Sequence, residues 1–217
     1  MTHLYVASVA PLKEKTLFDA AYRAASEERK KKTDRYRFEA DKRRSLGVEL
    51  LLCYAMQEAG LPFSYFYDPL GKPRTEGGFI SLSHADERVA VAVSDTDVGC
   101  DIEAVKPVDP RLAERFFTPR EAEDIANSAD KDDLFFRYWT LKESFMKATG
   151  QGMKLPFSAF AFTLGDPVTV AQEADARSFS FAEFPLEGYR LAVCTAGESD
   201  VSFHFADLST VIKEVSP

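Results

Sequence analysis

The segment Val98-Gly99-Cys100-Asp101-Ile102-Glu103-Ala104 reads as a β-strand whose period of two puts Cys100, Ile102 and Ala104 on one face and Asp101 with Glu103 on the other. Two carboxylates projecting together repel, so the pattern fits either a cation seated between them or a solvated strand face. Further along, Trp139, Glu143 and Lys147 recur at steps of four and share one stripe of a helix. On a free surface Glu143 and Lys147 would be an ordinary helical ion pair, but the chain's single tryptophan argues against a fully solvated stripe. Magnesium takes one or two carboxylates and leaves positions for phosphate oxygens and water, so Asp101, Glu103 and Glu143 are candidate ligands. A lysine one turn beyond, Lys147, would face the same phosphate and neutralise or protonate a leaving oxygen.

Further candidates for phosphate contact are Lys72, in the turn Gly71-Lys72-Pro73, and Ser83-His84, at the end of a strand. Between Glu27 and Arg44 stand nine Lys/Arg and five Asp/Glu, on a chain whose formal net charge is −8. That local excess of cations fits a small anionic ligand or a solvated helix face with paired charges. The overall charge excludes a general nucleic-acid binder.

These side chains need elements to hold them. Alternation at Leu4 and Val6 predicts a first strand, and Ser26-Glu27-Glu28-Arg29 predicts a helix start. Apolar residues at helical spacing predict a core helix over Ser45–Ala59 and a long amphipathic one over Asp132–Thr149, closed by Gly150 and Gly152. Thr118-Pro119-Arg120-Glu121 carries the capping-box pattern, with proline at the first helical position. Strands are expected at Phe63–Tyr67, Phe79–Ser83, Val89–Val93, Val98–Val105, Phe157–Leu164, Ser178–Phe184, Tyr189–Thr195 and Val201–Phe205, with His84 in the turn that joins the second and third of these. The result is a two-lobed α+β protein with a boundary near residues 94–97.

With 217 residues, 45% of them hydrophobic, the chain can bury a sizeable core without disulfide or metal. Its three cysteines lack metal or disulfide spacing and suit reduced thiols in a cytoplasmic protein. Neither a signal peptide nor a membrane span is expected.

Taken in order, Gly71-Lys72-Pro73, Ser83-His84, Gly99-Cys100-Asp101-Ile102-Glu103, Phe116-Phe117-Thr118-Pro119-Arg120-Glu121 and Trp139-Thr140-Leu141-Lys142-Glu143-Ser144-Phe145-Met146-Lys147 resemble the 4′-phosphopantetheinyl transferases of the surfactin-type branch. A GxDIE strand followed about 40 residues later by a WxxKESxxxK helix is far more specific than either motif alone. The resemblance runs from Ser26 to Pro156 and thins beyond Leu164. It implies an α+β fold of two similar, pseudo-twofold lobes, each a small antiparallel sheet packed with helices, and an active site between them. Residues 1–96 would form the lobe that contacts coenzyme A phosphates, and residues 97–217 the lobe with the metal site and catalytic helix. The implied reaction moves the 4′-phosphopantetheine arm from coenzyme A to a serine of an apo acyl or peptidyl carrier protein and releases adenosine 3′,5′-bisphosphate.

By the same resemblance Asp101, Glu103 and Glu143 converge on one Mg2+, and Lys147 contacts the phosphate that exchanges bonds. Lys72, Ser83 and His84 look like coenzyme A phosphate contacts, while Arg29, Lys32, Arg44 and Ser45 would hold the 3′-phosphate. Glu143 is the first candidate for general base. Glu121 is the second, standing either as a family acid near the metal or as the structural half of its capping box. Carrier proteins are usually acidic, so docking on this acidic chain is expected at a local patch around Phe117, Arg120 and Ile125. Two lobes in one chain remove the need for assembly, so a monomer is expected. A non-catalytic coenzyme A or carrier-protein binding module and a magnesium-dependent phosphohydrolase are the competing readings.

Overall fold

In the computed structural model, which describes residues 1–215, the first strand and the helices after it are β1 (Thr2–Ser8), α1 (Lys15–Ala24), α2 (Glu27–Asp34) and α3 (Glu39–Glu58). A hairpin of β2 (Tyr65–Tyr67) and β3 (Pro73–Thr75) leads to β4 (Phe79–Ala85), β5 (Arg88–Ser94) and β6 (Val98–Ala104). Three helices follow, α4 (Arg111–Phe116), α5 (Pro119–Asn127) and α6 (Lys131–Thr149). Strands β7 (Ala161–Thr163), β8 (Thr169–Ala171), β9 (Phe179–Glu183), β10 (Tyr189–Ala196) and β11 (Val201–Ala206) precede the last helix, α7 (Leu208–Val215).

Strand alternation builds the layers. In β1 and β5, Tyr5, Ala7, Val89, Val91 and Val93 pack against α1, α3 and α7. The intervening Leu4, Val6, Ala90 and Ala92 meet Val98, Cys100 and Ile102 of β6 and Leu191 and Val193 of β10. The far side of β10, through Ala192 and Cys194, packs on α5 and α6. The order is therefore helix, sheet, sheet, helix, with a long helix across the outer face of each sheet. The sheets are β11-β1-β5-β4 and β6-β10-β9, and β2-β3 and β7-β8 form two further hairpins. Between β4 and β6 the stitching is by hydroxyls: Ser81 Oγ accepts from Cys100 N at 2.9 Å, and Ser83 Oγ from Ile102 N at 3.2 Å.

Several expectations are met and several change. Ser26 caps α2, accepting from Arg29 N, Thr118 and Glu121 close their capping box, and α6 ends on Gly150 at φ +71°. The core helix starts at Glu39 rather than Ser45, with Glu39 and Asp41 in its first turn, where acids suit the helix dipole. His84 stays inside β4, and the reversal falls on Asp86 at φ +45°. Of the strand expected over Phe157–Leu164, only Ala161–Thr163 forms; Phe157–Ala159 is a 3-10 turn. The reason is Lys142, whose buried ammonium takes the carbonyls of Phe157 and Phe160 at 2.8 and 2.7 Å. Strand β11 runs parallel to β1, the exception in otherwise antiparallel sheets, and α7 packs in the core of the first sheet. Residues 201–215 thus return to the lobe in which the chain began. Among the described residues no helix is long and apolar enough to cross a membrane.

Candidate active site

Where β6 crosses α6, a Cβ on Gly99 would stand 1.9 Å from the Ser144 carbonyl oxygen and 2.5 Å from Ala148 N. Glycine lets the strand touch the helix backbone, and that approach sets the acidic face of β6 against the Glu143–Lys147 stripe. Lys147 Nζ donates to Asp101 Oδ1 at 2.7 Å and to the Cys100 carbonyl at 3.0 Å. Asp101 Oδ1 also accepts from Ser83 Oγ at 2.8 Å, while its Oδ2 is buried with no hydrogen-bond partner. Trp139 starts the stripe half-buried, against Phe116, Phe135 and Phe157.

One cleft of about 540 Å³ is lined by Asp101, Glu103, Trp139, Glu143 and Lys147 and also by Arg29, Lys32, Arg44, Ser45, Lys72, Ser83 and His84. The expected site residues thus come together there, apart from Glu121. Apolar wall residues that the motifs did not announce are Val48, Tyr67 and Leu70.

The carboxylates show mutual strain. Glu103 is pushed up to about 7, first by burial and then by Asp101, with Glu143 adding to it and Lys147 and Lys106 opposing. Burial and Asp101 raise Glu143 as well, against Lys147. Among the described residues no three acidic, histidine or cysteine side chains already form a closed ligand cluster. A buried carboxylate oxygen without a partner, beside two carboxyls that resist ionising, still fits a divalent cation that completes its shell with water and substrate oxygens.

This has a pH signature. The folded protein binds the Glu103 proton more tightly than the unfolded chain does, so that contribution to stability is whole below the ordinary glutamate range and is lost as pH rises through about 7. A cation favours the ionised form, so Mg2+ is expected to raise the melting temperature clearly at pH 8 and little at pH 5. Scanning fluorimetry with Mg2+ or chelator checks this; equal shifts at both pH values would refute it.

The cationic residues are held in different ways. Arg29 is buried, its Nε on Glu49 Oε2 at 2.6 Å and its Nη2 on the Tyr65 hydroxyl at 2.9 Å, so its charge is largely answered from inside. This pair explains Glu49, an acid inside a helix read as core. Ser45 shares a hydrogen bond of 2.8 Å with Thr33. Arg44 pairs with Asp41 and donates to the Asp86 carbonyl. Lys32 is made more acidic by burial and by Arg29. His84 lies open to the cleft, yet the protein around it, then Arg44, Lys147 and Lys32, lower its pKa, which favours the neutral ring.

Glu121 has a different place. It is 1% exposed, its Oε2 lies 2.9 Å from Lys142 Nζ and accepts from Thr118 N, and its Oε1 accepts from Phe162 N at 2.8 Å. Both oxygens are used in the core of the second lobe, which removes Glu121 as a metal-side acid or base and leaves the capping-box alternative. The docking patch changes too: Phe117 and Ile125 are 3% and 4% exposed and belong to that core, leaving only Arg120 at the surface. The Glu121–Lys142 pair was missed in the sequence, although a lysine between Tyr138, Leu141 and Phe145 on an apolar face was its signal.

A cleft between two α+β lobes, with carboxylates and cations sharing its walls, has the chemistry to take an anionic ligand together with a divalent cation. The family model of the 4′-phosphopantetheinyl transferase superfamily matches residues 97–194. The 4′-phosphopantetheinyl transferase psf-1 of Bacillus pumilus is 33% identical over 182 residues, 77% of each chain. The transferase Sfp of Bacillus subtilis (strain 168) is 31% identical over 186 residues, 79% of this chain and 82% of its own. The solved holo-[acyl-carrier-protein] synthase of Thermotoga maritima overlaps 48% of this chain and 64% of its own at 19% identity and a TM-score of 0.42, too loose a likeness to bear on the site. The chain belongs to the 4′-phosphopantetheinyl transferase superfamily.

Proposed function

We propose that this chain transfers the 4′-phosphopantetheine arm of coenzyme A to a serine hydroxyl of an apo acyl or peptidyl carrier protein and releases adenosine 3′,5′-bisphosphate. The observation that carries the reading is that the strand carboxylates, the helix Glu–Lys stripe and the cations of residues 29–84 line one cleft, in a chain of this family.

Asp101, Glu103 and Glu143 would hold Mg2+, which when bound supplies positive charge to phosphate oxygens. Burial, the largest single influence, lowers the pKa of Lys147, but Asp101, Cys100 and Glu143 together outweigh it and the net shift is upward. Lys147 therefore keeps its proton and offsets charge on the reacting phosphate instead of acting as an acid. Glu143 takes the serine proton directly or through one water; burial favours that protonation, whereas a bound cation would oppose it and weaken the carboxylate as a base. As the serine oxygen bonds to phosphorus, the bond from that phosphorus to the oxygen of the adenosine-bearing phosphate breaks, and the oxygen leaves with the electron pair. Lys32, Arg44 and neutral His84 would hold the phosphates of the departing nucleotide.

Incubation with coenzyme A, Mg2+ and a panel of apo carrier proteins should add the mass of the arm to at least one carrier. Binding of coenzyme A with no carrier modified would favour the binding module. Release of bisphosphate at full rate with carrier omitted would favour a phosphohydrolase.

A further inference from the structure

Asp97, at the junction between β5 and β6, does not line the cleft, yet three cations meet on its carboxylate. Its Oδ1 accepts from Lys72 Nζ at 2.9 Å and Arg74 Nη1 at 3.2 Å, and its Oδ2 from Arg177 Nη1 at 2.7 Å. Two more carboxylates extend the network: Asp68 accepts from Arg74 Nε at 3.1 Å and Asp175 from Arg177 Nη2 at 2.6 Å. Arg74 and Asp68 belong to the β2–β3 hairpin, whereas Arg177 and Asp175 precede β9, so the network ties a wall of the cleft to the second sheet.

We propose that Asp97 is a positioning residue for coenzyme A, pinning the Lys72 ammonium and the turn of residues 68–73 against the end of α6. The proposal rests on the reading of the cleft as the coenzyme A site. An ammonium has three donors. Two of those on Lys72 go to Asp97 and to the Ala148 carbonyl at 2.8 Å, which leaves one for the cleft that Lys72 lines. The Ala148 bond also sets a cation at the C-terminal end of α6, where the helix dipole favours it. Nearby, a Cβ on Gly150 would lie 3.4 Å from Lys72 Cδ and 3.3 Å from Arg74 Nη2, so helix end and hairpin are in close contact. Lys72 is 7% exposed, and burial lowers its pKa while Asp97 opposes the fall. Without the Asp97 charge, a buried lysine keeps its shape but holds its proton less well.

The test measures coenzyme A binding by calorimetry, with KM and kcat beside it, for wild type, Asp97→Asn, Asp97→Glu and Arg177→Ala. Asp97→Asn is expected to weaken coenzyme A binding and raise its KM about tenfold, with kcat and the carrier KM within about twofold. Asp97→Glu should recover most of the loss, and Arg177→Ala, at an exposed side chain, should cost about twofold. Wild-type affinity in Asp97→Asn, or a fall in kcat at unchanged KM, would overturn the proposal. Should Asp97→Asn fail to fold, Arg177→Ala decides, and unchanged binding there overturns it. Failure of wild type to bind coenzyme A would instead sink the functional reading.

Discussion

Asp101→Asn is expected to lower the rate of transfer by about 10³-fold while the protein stays folded. Asparagine keeps the volume and can still accept from Ser83 at Oδ1, so the packing of β6 survives. What goes is the negative charge beside Lys147 and the buried Oδ2 that has no partner within the protein. Removing it takes one of three candidate ligands from the cation and leaves Lys147 with neutral acceptors alone, the amide oxygen and the Cys100 and Leu82 carbonyls. Two measurements are needed: kcat/KM by mass spectrometry of the carrier, and the Mg2+-induced rise in melting temperature, which should shrink in the variant. Near-normal turnover would refute the role given to this carboxylate. Loss of turnover with an unchanged Mg2+ response would shift its role from metal ligand to anchor of Lys147.

Glu121→Ala is expected to act on stability. It strands the Lys142 ammonium, which is 0% exposed in the structure, removes the acceptor of Phe162 N and opens the cap of α5. Breaking a buried ion pair from one side costs about 3–5 kcal/mol, or a fall of about 10 °C in melting temperature for a chain of this size. The two carbonyls on Lys142, and the face of Phe160 at 4.4 Å from its Nζ, soften the loss without replacing the charge. The double variant Glu121→Ala with Lys142→Met should regain much of the stability, because an apolar pair needs no counter-charge. Below the melting temperature, activity per folded molecule should stay within a few fold. A variant that melts like wild type yet cannot transfer would return Glu121 to the chemistry.

These expectations separate residues whose roles were legible from those whose roles were not. The strand face of Asp101 and Glu103 and the helix stripe of Trp139, Glu143 and Lys147 could be read directly, and both line the cleft. Glu121 could not be assigned, because its motif spacing served a cap and a catalytic acid equally well. Phe117 and Ile125 were read as surface because a short amphipathic helix does not say which neighbour covers it. Asp97 carried no motif, and its partners are 23 to 80 residues away in the chain.

The sequence by itself determined direction: which side chains share a face follows from the backbone repeat of two or 3.6 residues, and that repeat is local. It also announced, through the joint spacing of its motifs, the family to which the chain belongs. Only the tertiary structure decided which faces meet. Gly99 brings β6 onto α6, Ser81 and Ser83 stitch β4 to β6, and Lys142 claims Glu121 for the core. Such choices turn on burial and on charges brought together from distant parts of the chain, and no local repeat encodes them.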